Sequence, residues 1–247
     1  MKKTYKRILS GLGILALVLV FLSVGYFLKA RSIMKGMATV GTGEIVTNVF
    51  SIKDSFVNFY LVKNGERYIA IDAGNDKGNI QKELKKLNIE PDKIVAVLLT
   101  HSDGDHVANI SLFKNATVYL SKQEEQLLNG KKSRFFIFGN KIDSEKYILI
   151  DNHQVINIEG LRVQGFLTPG HTPGSMCFLV NDTLLFTGDA LRLNQGKIEP
   201  FYSFFTMDSK TAIKSIGEIT HIPGAKYIFT AHNGYSDNFE TAIKDWE

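Results

Sequence analysis

The stretch Thr100-His101-Ser102-Asp103-Gly104-Asp105-His106 decides the fold. It follows the apolar run Ile94-Val95-Ala96-Val97-Leu98-Leu99, which reads as a buried strand. Two histidines and two carboxylates thus crowd the end of a strand, where sheet proteins place their chemistry. Imidazoles and carboxylates turned toward one point suit a divalent cation. A polar turn with aspartate caps is the alternative, and three further segments argue against it. They are Thr168-Pro169-Gly170-His171-Thr172-Pro173-Gly174-Ser175, Phe186-Thr187-Gly188-Asp189 and Phe229-Thr230-Ala231-His232-Asn233-Gly234. Each follows an apolar strand-like run and sets His or Asp at its end. Their glycines let the backbone turn tightly and come close to a site.

The 247 residues are 44% hydrophobic and 22% charged, an ordinary globular balance. The formal charge of +4 is concentrated at one end. Lys2, Lys3, Lys6, Arg7, Lys29, Arg31 and Lys35 all precede the first acidic residue, Glu44. Removing these 7 from the 29 basic residues leaves 22 against 25 acidic ones. The rest of the chain therefore has no bulk positive field, and no nucleic-acid partner is expected. The single cysteine, Cys177, can form no intrachain disulfide and sits in the apolar run Ser175–Val180, as a buried core thiol would.

Ile8 to Leu28 carries no charge and, as a helix, spans roughly 30 Å, the thickness of a bilayer's hydrocarbon core. Basic residues precede it, which favours an N-terminus in the cytoplasm and a domain outside. Lys29, Arg31 and Lys35 on the far side pull the other way and leave an inverted anchor open. A signal peptide cleaved near Ser23-Val24-Gly25 is the rival, although the apolar stretch is long for one. Residues 1–30 are thus expected to be an anchor or signal sequence, 31–43 a linker, and 44–247 one folded domain.

Within that domain, Ile45–Phe50, Val57–Val62 and Arg67–Asp72 read as strands, with a hairpin at Asn64-Gly65. Helical spacing appears over Asn79–Leu87, Val107–Phe113, Lys122–Leu128, Ala212–Ile219 and Asn238–Trp246. Further strands are expected at Thr117–Leu120, Tyr147–Ile150, Gln154–Ile158, Leu161–Leu167, Met176–Val180, Thr183–Phe186 and Tyr227–Thr230. Asn181-Asp182 turns the second hairpin, and Lys131–Lys146 reads as a loop or flap. Strands dominate first and helices alternate later, which fits two sheets with helices packed outside.

From Val57 onward the chain resembles the metallo-β-lactamase-fold hydrolase superfamily. The resemblance rests on the four segments quoted above and on the early hairpin from Asn58 to Gly74. It implies a four-layer αββα sandwich, here preceded by one transmembrane helix, with a dinuclear metal site at one edge. The first metal would use His101, residue 103 and His171. The second would use Asp105, His106 and His232, with Asp189 bridging the two. Asp103 departs from the family, most members having His there. A carboxylate among imidazoles still accepts zinc, the first expectation, and moves preference toward iron or manganese.

Two cations a few ångströms apart lower the pKa of a bridging water and polarise a carbonyl or phosphoryl oxygen. Asp105 would hold the resulting hydroxide. Ser102 and Ser175 then serve as turn or supporting groups, and Asp72 either orients a histidine or caps a turn. His153 and His221 have no ligand-rich setting. Phe201-Tyr202-Ser203-Phe204-Phe205 follows Asp189 by a short loop; Tyr202 is the candidate substrate contact, against core packing of the run.

Fold alone does not select a substrate. Family β-lactamases usually carry Cys or Ser in place of Asp189. Glyoxalase II enzymes have a C-terminal helical extension, whereas this chain ends shortly after His232. Ribonuclease-type members need a nucleic-acid-binding arm, flavo-diiron proteins a flavin domain, and acyl-homoserine-lactone lactonases often a Tyr soon after the bridging Asp. A membrane-tethered hydrolase of a small ester, lactone, amide or phosphodiester is the expectation that remains. The competitors are a non-catalytic metal-binding or sensing domain, and a di-iron redox domain.

Overall fold

A strand covered on both faces needs apolar side chains at every position, and the runs at 57–62, 94–99 and 176–180 meet that demand. In the computed structural model they are interior strands of two facing sheets. The structure describes residues 2–134, 138–144 and 147–246, with side chains from residue 13 onward. The chain divides into two compact units, Met1–Met37 and Ala38–Glu247.

The first unit is helix α1 (Lys2–Lys35), of which Gly13–Lys35 is long and apolar enough to cross a membrane. Its apolar side chains, among them Leu17, Phe21 and Phe27, are exposed.

The second unit opens with a seven-stranded sheet of β1 (Gly43–Val46), β2 (Val49–Asp54), β3 (Val57–Asn64), β4 (Arg67–Ile71), β5 (Ile94–Leu98), β6 (Thr117–Ser121) and β7 (Tyr147–Ile150), in that spatial order. The first four strands run antiparallel, and β4 to β7 run parallel. The second sheet holds β8 (Val155–Ile158), β9 (Leu161–Leu167), β10 (Met176–Val180) and β11 (Leu184–Gly188). A separate ribbon, β12 (Leu191–Asn194) with β13 (Lys197–Pro200), follows. Strand β14 (Tyr227–Thr230) then returns parallel to β11, and β15 (Tyr235–Ser236) completes the second sheet.

Alternation within the strands builds three apolar layers. Tyr60, Val62, Ile69, Ile71 and Leu98 of the first sheet meet Val163, Met176, Phe178, Phe186 and Phe229 of the second. The intervening residues Phe59 and Leu61 face outward onto Ile80 and Leu84 of α2 (Lys77–Lys86). Two short helices, α3 (Gly104–Val107) and α4 (Glu125–Leu128), belong to loops of this half. On the far side Cys177, Leu179 and Leu185 pack against Ile216 and Ile219 of α5 (Ser209–Ile219) and Phe239 of α6 (Phe239–Ile243). The result is the expected αββα sandwich.

Several elements differ in extent from the expectation. Helices α2 and α5 begin earlier than their apolar spacing, because Asp76 and Asp208 cap them by accepting from Asn79 N and Thr211 N. The strand expected at Ile45–Phe50 is broken by a turn: Asn48 takes φ 63°, and its N–H donates to Glu44 Oε1 at 2.8 Å. The helix expected at Val107–Phe113 instead starts inside the motif as α3, with a separate 3-10 turn at Ile110–Leu112. The expected closing helix splits into α6 and a 3-10 turn, Lys244–Trp246. Of the loop expected at 131–146, residues 135–137 and 145–146 lie outside the described residues.

Strands β4, β5, β9, β11 and β14 all present their carboxyl ends at one edge between the sheets. Ligand sites in parallel sheets gather at such ends, and each of the four quoted segments begins there.

Candidate metal centre

The site is built by fixing which ring nitrogen of each histidine is free. His106 Nδ1 donates to Asp72 Oδ2 at 2.8 Å, so Nε2 is the nitrogen left to face the centre. His232 Nδ1 donates to the Phe56 carbonyl at 2.7 Å, with the same consequence. Thr100 Oγ1 donates to Asp72 Oδ2 at 2.9 Å, which leaves that oxygen to accept from His101 Nδ1 at 3.0 Å. Asp72 thus orients His106 directly and His101 through Thr100. It also accepts from Thr100 N at 2.8 Å, so it caps the turn as well. His171 is different, for its buried Nδ1 has no partner among the described residues.

These freed nitrogens converge with the carboxylates. His101, Asp103 and His171 form one donor group, and Asp105, His106 and His232 a second; His101 and His106 also group with Asp189. In the first group His171 Nε2 lies 3.1 Å from both His101 Nε2 and Asp103 Oδ2. In the second, Asp105 Oδ2 lies 3.5 Å from His232 Nε2 and 3.7 Å from His106 Nε2. Asp189 stands between them. Its Oδ1 is 3.2 Å from His232 Nε2 and 3.6 Å from His106 Nε2, and its Oδ2 is 3.5 Å from His171 Nε2. All seven expected site residues are therefore brought together.

Two of the converging atoms, His106 Nε2 and Asp189 Oδ1, are buried with no hydrogen-bond partner among the described residues. Orphaned buried polar atoms are costly unless something satisfies them. Imidazole lone pairs facing carboxylate oxygens are the donor chemistry of a divalent metal, and the residues fit one.

The same crowding shifts the protonation of the metal-free groups. Burial opposes charge on His106, yet Asp72, Asp105 and Asp189 outweigh it and hold its pKa well above the ordinary histidine value. His232 is likewise raised, burial being overcome mainly by Asp189. For Asp189, burial is outweighed by His232 and His106, and its carboxyl is held well below the usual range. His171 is lowered, with burial as the largest cause.

Asp103 has a second engagement that the sequence reading did not anticipate. Arg134 Nε donates to its Oδ1 at 2.8 Å, and an Arg134 terminal nitrogen donates to its Oδ2 at 2.6 Å. Asn140 Nδ2 donates to Oδ1 at 2.9 Å. Glu124 was also missed. It is fully buried and ties two of the site segments together. One oxygen accepts from Ser102 N and Oγ at 2.9 and 2.7 Å, the other from Thr172 Oγ1 and Gly174 N at 2.6 and 3.0 Å. A side chain at Gly174 would collide with the Glu124 backbone, so the glycine permits this approach. Gly188 has φ 52° and leaves room for Thr100 Oγ1, the group that orients His101.

Ser102 supports the site through Glu124, and Ser175 Oγ accepts from Thr172 N at 3.0 Å. Phe201, not Tyr202, abuts the donors. Its ring centroid lies 5.2 Å from that of His171 and 5.6 Å from that of His232. Tyr202 packs edge-on against Phe201 and lies under the Arg192 guanidinium. His153 and His221 are exposed and line a separate groove of about 730 Å³ with Phe166 and Ile222. Cys177 is buried and free, its thiol pushed up to about 12 by burial.

With this geometry in place, similarity to known proteins becomes informative. A family model described as metallo-beta-lactamase superfamily matches residues 52–232. A probable polyketide biosynthesis zinc-dependent hydrolase of Bacillus subtilis is 37% identical over 126 residues, 50% of this chain and 49% of that protein. A probable metallo-hydrolase of Methanocaldococcus jannaschii is 30% identical over 155 residues, 63% of this chain and 64% of that protein. The chain thus spans just under half the length of the first relative and just under two thirds of the second. Among solved structures, a B3 metallo-beta-lactamase with an active-site glutamic acid superposes with a TM-score of 0.66 at 19% identity, over 85% of this chain and 87% of that one.

Proposed function

The chain belongs to the metallo-beta-lactamase superfamily, and on that premise we propose that it hydrolyses a small ester, lactone, amide or phosphodiester at a dinuclear metal centre. The observation that carries this is the pair of buried, unpartnered atoms His106 Nε2 and Asp189 Oδ1, set beside His232 and Asp105. In this reading His101, Asp103 and His171 would hold one ion and Asp105, His106 and His232 the other, with Asp189 placed to serve both. Zinc is the first assignment, supported by the histidine-rich donors and by the zinc-dependent Bacillus relative. Asp103 leaves iron or manganese open.

Divalent ions in such a centre supply Lewis acidity and lower the pKa of water, so no serine or cysteine nucleophile is needed. The chain's own groups do the rest. The side chain of Asp105 is 22% exposed and that of Asp189 only 5%, so Asp105 is the carboxylate open to entering water. It holds the attacking water and accepts its proton at a carboxylate oxygen. Asp72 and Thr100 keep His106 and His101 in the tautomers that face the centre. Phe201 shields one side of it, and Tyr202 stands one step outward for the substrate.

The apolar helix α1 is consistent with a membrane anchor or a signal sequence. We place the domain outside the cytoplasm, tethered by α1 or secreted after cleavage, because Lys2, Lys3, Lys6 and Arg7 precede the apolar stretch. The test is hydrolysis of chromogenic esters, lactones, amides and phosphodiesters by the full chain in detergent. Turnover that a chelator abolishes and zinc restores is expected. A metal-loaded chain that cleaves none of the panel would instead be a binding or sensing domain.

A further inference from the structure

The two halves of the centre are not built alike. Around the second donor group every supporting contact leaves a donor atom free. His106 and His232 spend Nδ1 on Asp72 and the Phe56 carbonyl, and His106 Nε2 and Asp189 Oδ1 have no partner among the described residues. Around the first group His101 is fixed in the same way, but the carboxylate is already engaged. Asp103 Oδ2, the oxygen that faces His101 and His171, is the same oxygen that accepts from Arg134 at 2.6 Å. Its Oδ1 is taken by Arg134 Nε and Asn140 Nδ2.

Arg134 is no loose surface group. Its side chain is 4% exposed, and the terminal nitrogen that meets Asp103 also donates to the Phe205 carbonyl at 2.7 Å. That nitrogen lies 3.4 Å from His171 Nε2. A guanidinium keeps its charge at any pH the fold survives. A divalent ion placed among His101, Asp103 and His171 would therefore sit beside a permanent, buried cation and share the Asp103 carboxylate with it, Asp189 being common to both positions. Drawing Asp103 away would cost the buried guanidinium its carboxylate contact, a larger loss than at an exposed pair. His171, with no partner on Nδ1, also lacks the contact that fixes the tautomer of the other three histidines.

We propose that Arg134 makes the centre unequal: one divalent ion binds tightly at Asp105, His106, His232 and Asp189, and the His101–Asp103–His171 position takes a second only weakly. This rests on the metal-centre reading and deepens it. Arg134 is a positioning residue that sets metal stoichiometry through Asp103.

The experiment is zinc titration of the metal-stripped full chain in detergent by calorimetry, with elemental analysis after desalting. The wild type should retain one equivalent and show a second, weaker step. Arg134→Gln removes the charge and the fork, and the weaker step should tighten by at least about tenfold, so that two equivalents are retained. Arg134→Lys keeps a charge beside Asp103 and should still retain one. Asp103→Asn provides a second route should Arg134→Gln not fold, and it should keep the tight equivalent. A wild type that retains two equivalents of similar affinity would overturn the inference alone. So would an Arg134→Gln protein that melts as the wild type does yet still retains one. No zinc bound in any form would overturn the metal-centre reading and this inference with it.

Discussion

Asp72 Oδ2 accepts a hydrogen bond from His106 Nδ1 at 2.8 Å, and the same carboxylate holds Thr100, which in turn orients His101. One residue therefore sets the tautomers of histidines in both donor groups. Asp72→Asn puts an amide where the carboxylate accepted from Thr100 and His106. Its backbone, at φ 66°, suits asparagine equally well, so the fold should persist. Zinc affinity, measured by competition with a chromophoric chelator, should fall by about 10- to 100-fold. Unchanged affinity would reduce Asp72 to a turn cap.

Glu124 predicts a different phenotype, because it joins loops and touches none of the donor atoms directly. Glu124→Ala leaves Ser102 N and Gly174 N, both buried, without an acceptor. The metal-free chain should lose about 3 kcal/mol of stability in denaturant unfolding, and zinc affinity should drop with it. A loss under about 0.5 kcal/mol would mean water replaces the carboxylate at no cost.

Gly188→Ala tests the close approach at the bridging segment. The position has φ 52°, and a methyl group there meets Thr100. The substitution should lower both thermal stability and zinc content, whereas Gly196→Ala, where a side chain meets open space at φ 78°, should lower stability alone. Equal zinc content in the two variants would contradict the assigned role of the Thr100 contact.

The shifted groups give the metal-free chain a pH signature. His106 and His232 are raised, so their contribution is complete below about pH 6.5, the ordinary histidine value, and is lost as pH rises through their folded values. Asp189 is depressed, so its contribution is complete above about pH 4 and is lost as pH falls through its folded value. His171 is lowered and acts the other way, losing stability as pH falls below about 6.5, but two raised histidines oppose it, so without metal the melting temperature should be higher at pH 5.5 than at pH 8.5. Zinc must displace the histidine protons, so its binding at pH 7 should release protons and tighten as pH rises. Calorimetry in two buffers of different ionisation enthalpy reads that release; identical heats would contradict it.

Cys177 should be inert while the chain is folded. Its thiol is buried and pushed up to about 12. Iodoacetamide at pH 8 should label it only after denaturation. Rapid labelling of the native chain would place it outside the core described here.

The donor segments were legible because each is a local cluster at the end of an apolar run, and strand ends gather at one sheet edge. Asp72 was half legible: it visibly ends a strand, but its partner lies 34 residues away. Arg134 and Glu124 were not legible at all. A buried arginine in a loop and a buried glutamate beside a short helix have the same one-dimensional surroundings as solvated ones. Only the fold reveals that Asp103 lies against the first and that Ser102 and Thr172 close on the second. The ribbon of β12 and β13 escaped for a related reason, since strands of four residues leave too few alternations to read.

Whether these side chains hold a metal is read from the metal content of the full chain purified without added metal. The comparison is a variant carrying both His106→Ala and His232→Ala. At least one equivalent of divalent metal per wild-type chain, zinc foremost, is expected, and its loss from the variant. A wild type that carries no metal and binds zinc no better than the variant would contradict that expectation.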